Sequence, residues 1–297
     1  MVRIADLFAA YEAEDRRVVS FEFFPPKTDE AVEELFRVAR DELAPLAPSF
    51  ISVTYGAGGS TRRKTLELVS RIKNDIGLEA MAHLTCVGHS RDELAEIIDG
   101  IVAAGIENVL ALRGDPPRGE TEFKSTAGGL QYANQLVDLL HAEFSNFGVA
   151  VAGYPETHQE AISPEVDLEN LKRKVGAGAD IVITQLFYNN EDFLRFRDRA
   201  EQAGVSVPLI PGILPVTNLA QIQRITAMCG AQLPADFVAA LGQSDDADAQ
   251  FRIGVDFATQ QVQDLVDRNV PGVHFYVLNK SQATSEILKA LNLTRQP

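Results

Sequence analysis

Along the chain, short apolar runs alternate with longer stretches in which apolar positions return every three or four residues. Eight runs have strand character: 18–24, 50–55, 80–85, 107–112, 148–153, 180–187, 207–211 and 273–278. Between them lie amphipathic helical patterns at 29–43, 61–76, 91–105, 129–144, 167–178 and 190–204. Strand then helix at this spacing predicts a parallel sheet, because parallel neighbours need a crossover connection. Eight such units predict an α/β fold, a closed (β/α)8 TIM barrel in one domain over 1–297, with an extra N-terminal helix covering one end. The interval before the last strand predicts two helices, 218–229 and 250–269, with the acidic DDADA (245–249) as a solvated loop between them. An open, doubly wound sheet is the competing arrangement and would carry GxGxxG directly after a strand. The nearest stretch, GAGGS (56–60), lacks the third glycine and fits a turn.

The first strand contains an anomaly. In VVSFEFF, Val19, Phe21 and Phe23 point to one face, and Ser20 and Glu22 to the other. Pro25 and Pro26 end the strand, so Glu22 is a lone carboxylate at the carboxyl end of an aromatic run. Such a group either pairs with a cation, as in a structural ion pair, or has its pKa raised by desolvation, which suits a general acid.

A formal charge of −15 disfavours nucleic acid or an anionic membrane surface as a partner. The two cysteines, Cys86 and Cys229, are far apart and outside any CxxC or Cys/His cluster. They form neither a disulfide framework nor a metal site, and point to a reducing cytoplasm. No stretch approaches the ~18 unbroken apolar residues of a membrane span, and the N-terminus lacks the apolar core of a signal peptide.

Function in a barrel collects at the carboxyl ends of the strands. Those ends carry Glu22, Thr54-Tyr55, His83, Arg113-Gly114-Asp115, Tyr154, Gln185 and Tyr276. Alternation places Ser52 and Thr54, Met81 and His83, Ala111 and Arg113, Ala152 and Tyr154, and Ile183 and Gln185 inward. Singly, His83 reads as a satisfied core histidine, Tyr154 as a packed aromatic and RGD (113–115) as a turn. Their coincidence at one end reads as a wet pocket. On the helix after Tyr154, Asp167, Asn170 and Lys174 share a face, with Arg173 adjacent. This is either a solvated charged face or a pair of cations facing a ligand pyrophosphate.

The stretches VSFEFFPPKT (19–28), SVTYGAGG (52–59), HLTC (83–86), ALRGDPP (111–117), VAGYPETHQEA (151–161), DLENLKRKVGAGAD (167–180), ITQLFY (183–188), IPGILPVTN (210–218) and HFYVLNK (274–280) run from end to end of the chain. Together they resemble methylenetetrahydrofolate reductase, a flavoprotein family of one-carbon metabolism, in its single-domain bacterial form. The resemblance implies FAD, reduced by NADH or NADPH, converting 5,10-methylenetetrahydrofolate to 5-methyltetrahydrofolate by ping-pong hydride transfer for methionine synthesis. It implies a cytoplasmic homo-oligomer without the regulatory domain that binds S-adenosylmethionine in eukaryotic members.

By matching positions, the resemblance makes Glu22 the acid that protonates the bridging nitrogen of folate. It places Asp115 near the flavin and the pterin, and gives folate contacts to Gln185, Leu219, Tyr276 and Lys280. FAD contacts fall on Thr54, His83, Arg113, Gly114, Asp115, Tyr132 and Ala133. Further ones fall on Tyr154, His158, Ala161, Asp167, Asn170, Arg173 and Lys174. Two positions depart from the family pattern: Leu219 stands where bacterial members have phenylalanine, and Lys280 where members often have arginine, which would offer a bidentate fork. Two other functions stay open. One is a cofactor-free folate or pterin methyltransferase working with a corrinoid protein; the other is a flavin-binding module without turnover, against which Glu22 argues.

Overall fold

The computed structural model describes residues 2–14, 16–56, 62–116, 119, 123–144 and 146–294. Eight parallel strands close in sequence order: β1 (Val18–Phe23), β2 (Phe50–Val53), β3 (Ala80–Thr85), β4 (Asn108–Leu112), β5 (Gly148–Gly153), β6 (Ile181–Leu186), β7 (Leu209–Ile213) and β8 (Gly272–Tyr276). The ladder from β8 back to β1 pairs Ser20 with His274 and Glu22 with Tyr276. All eight expected strands are present, within two residues at most ends. The GAGGS turn falls mainly on 57–60, outside the described residues.

Strand alternation sorts the side chains into two cores. Val19, Phe21 and Phe23 join the layer between sheet and helices. Val18, Phe50, Met81, Leu110, Ile181 and Ile210 fill the amino-terminal half of the barrel interior. Helix α1 (Ile4–Ala13) closes that end by adding Ile4, Leu7, Phe8 and Tyr11 to the interior cluster. Its entry is pinned by the buried Asn108, whose Oδ1 accepts from Ile4 N at 2.7 Å and whose Nδ2 donates to Val2 O at 3.0 Å. The approach is close enough to demand glycine at 148, where a Cβ would stand 2.4 Å from Asn108 Oδ1 and 2.7 Å from Ile4 N.

The helices follow their strands as α2 (Asp29–Arg37), α3 (Arg62–Arg71), α4 (Arg91–Ala103), α5 (Ala133–Glu143), α6 (Pro164–Gly176) and α7 (Asn190–Gln202). The expected patterns 29–43 and 61–76 end in wider π-helical turns, at Val38–Leu43 and Ile72–Ile76. After β7 come α8 (Leu219–Cys229), α9 (Ala235–Leu241) and α10 (Ala247–Asp267), and α11 (Gln282–Ala290) follows β8. Here the expectation needs correction. DDADA is only partly a loop, because Asp246 caps α10 by accepting from Asp248 N at 3.0 Å, and residues 247–249 form its first turn. The seven-residue α9 follows Pro234 and is too short for a period to show.

A second correction concerns β4. Ala111 faces outward into the helix layer, while Leu110 and Leu112 face the interior. Arg113 still reaches the interior end, but from the loop beyond the strand, where alternation no longer governs it. Among the described residues, no helix is long and apolar enough to cross a membrane, and no cluster of His, Cys, Asp or Glu could hold a metal ion.

Candidate active site

The carboxyl ends of the strands surround a cavity of about 640 Å³, within the size range of small-molecule sites. Glu22, Thr54, His83, Arg113, Gly114 and Asp115 line it, as do Tyr154, His158, Gln185 and Tyr276. A groove of about 610 Å³ runs outside the barrel along α7, α9 and α10, but amides and apolar side chains line it, with Asp192 the single charge. The chemistry gathers in the barrel mouth.

Glu22 occupies the floor. Its Oε2 lies 3.2 Å from His83 Nε2, 3.3 Å from His274 Nε2 and 3.5 Å from Ser52 Oγ. Burial pushes the carboxyl up, but the two imidazoles outweigh it and hold the group down at about 2. Of the two influences open in the sequence, contact with neighbouring groups outweighs desolvation. His274 continues the network, with Nδ1 2.8 Å from Ser20 Oγ, and both residues are fully buried. His274 went unread in the sequence, although it lies two residues before Tyr276 and shares its inward face. His83 Nε2 is near Glu22 yet off the line of a hydrogen bond, so it is a buried polar atom without a hydrogen-bond partner; Thr85 Oγ1 is another. Both residues line the cavity and present hydrogen-bonding capacity to a bound molecule.

The walls carry prearranged polar groups. Tyr55 Oη is held at 3.0 Å by Nε2 of His89, and burial pushes its pKa up to about 12. Tyr276 Oη donates to Thr184 O at 2.7 Å. His158 stacks edge-on against Tyr154, its Nδ1 accepts from Glu160 N at 3.1 Å, and burial lowers its pKa. The proton of neutral His158 is thereby assigned to Nε2. Arg113 forms a bidentate ion pair with Glu160, which sequence reasoning did not single out.

The remaining expected site residues lie around this cavity rather than in its lining. On α6, Lys174 turns toward the barrel: Nζ donates to Ala152 O at 2.5 Å and sits 5.8 Å from the Tyr154 ring. Its burial lowers the ammonium to about 8, against the opposing field of Asp167. Asp167 accepts from His158 N at 3.0 Å. Arg173 is exposed and 3.9 Å from Glu169, and Asn170 is exposed on the same helix. Tyr132 is exposed at the start of α5, with Ala133 beside it, and Ala161 lies in the loop before α6. Leu219 opens α8 and packs with the apolar cluster of α8 to α10, while its backbone N–H donates to Gln250. Lys280 is exposed beyond β8.

A model of the methylenetetrahydrofolate reductase family matches residues 7–292. The chain belongs to that family. It is 42% identical to 5,10-methylenetetrahydrofolate reductase of Escherichia coli (strain K12), over 93% of this chain and 90% of that protein. It is 38% identical to methylenetetrahydrofolate reductase (NADH) 1 of Arabidopsis thaliana, over 98% of this chain but 51% of the relative. The chain thus spans about half the length of the plant relatives it matches. Among solved structures, a Clostridium thermocellum protein described as binding two copies of 5-methyl-5,6,7,8-tetrahydrofolic acid superposes with a TM-score of 0.64 over 96% of this chain and 98% of its own. At 12% identity that likeness speaks for the fold alone.

Proposed function

We propose that this chain is a flavin-dependent reductase that converts 5,10-methylenetetrahydrofolate to 5-methyltetrahydrofolate with electrons from a reduced nicotinamide. The observation that carries the reading is the buried Glu22 carboxylate on the floor of the cavity, in a chain of this family. Family membership supports the folate substrate, and the plant relatives, named as NADH enzymes, favour NADH as the donor.

The residues fit FAD. Thr85 offers an unpartnered buried hydroxyl to a ring, His83 an imidazole beside Glu22, and the Nε2–H of His158 a donor. Arg113 and Lys174 bring positive charge to where a pyrophosphate would lie. Thr54, Gly114, Asp115 and Tyr154 complete the wall around the ring; Tyr132, Ala133 and Ala161, and Asp167, Asn170 and Arg173 on α6, are assigned to the rest of the cofactor. When bound, FAD supplies hydride transfer, accepting from nicotinamide and donating to folate.

The protein's own part is positioning and proton supply. Gln185 and Tyr276 project from the strand ends toward the same cavity as Glu22 and orient the pterin. Leu219 and Lys280 are assigned to the outer parts of the folate, Lys280 as a point charge for its carboxylates. The bridging nitrogen of methylenetetrahydrofolate must gain a proton before its ring opens to an iminium that can accept hydride. Glu22 is the group assigned to deliver it, with the imidazoles of His83 and His274 adjoining it. The product feeds methionine synthesis, and the enzyme works as a cytoplasmic homo-oligomer.

The test is anaerobic. Purified protein should be yellow, bleach with NADH or NADPH, and recover its absorbance when methylenetetrahydrofolate is added. A colourless protein that transfers a methyl group to a corrinoid partner would overturn the reading.

A further inference from the structure

Arg113 stands at the mouth of the cavity, where the chain leaves β4, and a carboxylate of the same chain already holds its guanidinium. Nη1 and Nη2 donate to the two oxygens of Glu160 at 2.6 and 2.8 Å. Nε donates to Gly114 O at 3.3 Å, and the Phe123 ring lies 5.1 Å away, so the cation is held from its inner side. Exposure is unequal: 23% for the Arg113 side chain and 51% for that of Glu160. The cation is set in the wall and the anion lies on its wet side.

The backbone that presents Glu160 is anchored. Glu160 N donates to His158 Nδ1, Ala161 N to His158 O at 2.9 Å, and His158 N to Asp167 at 3.0 Å. Gln159 Nε2 reaches across the cavity mouth to Met228 O at 3.2 Å. Glu160 can therefore leave Arg113 by turning its own side chain, with the loop staying in place.

We propose that Glu160 is an intramolecular counter-ion occupying the anion subsite at Arg113, and that a phosphate-bearing ligand binds by displacing it. The ligand is FAD, so the inference rests on the flavin reading above. A guanidinium fork matches carboxylate and phosphate oxygens alike, and one bidentate partner excludes the other. Binding is then weakened by the fraction of molecules in which Glu160 is still in place. Glu160 thus sets the threshold for cofactor uptake: it weakens ligands that must take the Arg113 fork and leaves those without phosphate unaffected.

The experiment measures binding to the full chain after removal of its flavin, by quenching of flavin fluorescence, for the wild type, Glu160→Gln and Glu160→Asp. Aspartate keeps the charge but is one methylene short, and the anchored loop cannot follow it inward. Both variants should bind FAD about two- to fivefold tighter, as expected for loss of a solvent-exposed ion pair. Most of the gain should lie in the association rate, with riboflavin affinity unchanged. Calorimetry with inorganic pyrophosphate should give the same order. If Glu160→Asp behaves like the wild type while Glu160→Gln binds tighter, the effect is one of net charge and the displacement is refuted. Weaker binding by both variants would make Glu160 part of the site's framework and also refute it, as would an equal gain for riboflavin. Wild-type protein that binds pyrophosphate but not FAD would instead sink the flavin reading, and the pyrophosphate series would still decide the role of Glu160.

Discussion

Glu22 Oε2 and His274 Nε2 lie 3.3 Å apart across the β1–β8 ladder, and Nδ1 of the same imidazole lies 2.8 Å from Ser20 Oγ. Carboxylate, imidazole and hydroxyl therefore form one buried chain beneath the cavity. If Glu22 delivers the proton that opens the folate ring, Glu22→Gln keeps its size and removes the acid. Folate reduction should fall by about 10²–10⁴-fold, while bleaching of the flavin by nicotinamide stays nearly unchanged. Stopped-flow traces of the two half-reactions decide this. Equal slowing of both would assign Glu22 to holding the geometry.

The two faces of His274 can be separated. His274→Asn retains a group near Nδ1 for Ser20 but loses the contact with Glu22, whereas His274→Gln does the reverse. Burial raises the Glu22 pKa, and the imidazoles lower it to about 2. Loss of one imidazole must therefore move it upward, toward the ordinary carboxylate value and beyond. Because the acid acts in its protonated form, the alkaline fall of the folate half-reaction should shift to higher pH in His274→Asn, and much less in His274→Gln. The same change weakens the acid-side stability. A depressed carboxyl contributes stability above about pH 4.5 that is lost as pH falls toward about 2, and that window should narrow. Unchanged profiles in His274→Asn would detach His274 from the acid.

Arg173 and Lys174 are adjacent in sequence but not equivalent in space. Lys174 Nζ reaches Ala152 O beneath Tyr154, whereas Arg173 is exposed beside Glu169. Lys174→Ala should release FAD on dialysis, and Arg173→Ala should retain most of it. Lys174→Met also removes a pH dependence of the flavin-free protein. Its folded pKa of about 8 lies below the ordinary lysine value of 10.5, so the unfolded chain binds more protons between those values and stability rises with pH across that window. The rise, of order 1–3 kcal/mol, should be missing from urea titrations of Lys174→Met. Equal flavin loss from the two alanine variants would contradict this division of roles.

Asp115 is exposed at the mouth beside Gly114. A carboxylate beside the flavin opposes the negative charge of the reduced ring, so Asp115→Asn should make the midpoint potential more positive. Spectroelectrochemical titration reads the sign directly, and a shift to more negative potential would place Asp115 away from the ring.

The barrel was legible because each strand is short, apolar and followed by a helical period, and because Pro25-Pro26 marks the end of β1. Glu22 was legible for a related reason: a charge in the aromatic run Phe21–Phe24 breaks its own pattern. Ala111 misled because alternation was extended through Arg113, which lies beyond the end of β4. Glu160 gave no signal, since an acid in a polar loop becomes informative only when Arg113, 47 residues away, is found against it. The depressed pKa of Glu22 was equally hidden: it depends on His83 from β3 and on His274, which is 252 residues distant in sequence and adjacent only because β8 closes on β1.

That closure also depends on Gly212. Between β6 and β7 the regular register is interrupted near Ile183 and Leu186, and Thr184 bridges the gap by accepting from Gly212 N through Oγ1 at 3.0 Å. Tyr276 lies over Gly212 and donates to Thr184 O at 2.7 Å. A Cβ at 212 would stand 2.2 Å from Thr184 O and 2.8 Å from Tyr276 Oη, one a backbone atom and the other fixed by its hydrogen bond. Gly212→Ala should therefore cost about 3 kcal/mol, the upper part of the usual overpacking range, and should displace the Tyr276 ring from the cavity wall. A lowered urea midpoint together with a raised KM for folate is the expected result, with flavin reduction by nicotinamide less affected. If stability falls while the folate KM does not change, Gly212 serves the barrel alone and Tyr276 does not contact the substrate.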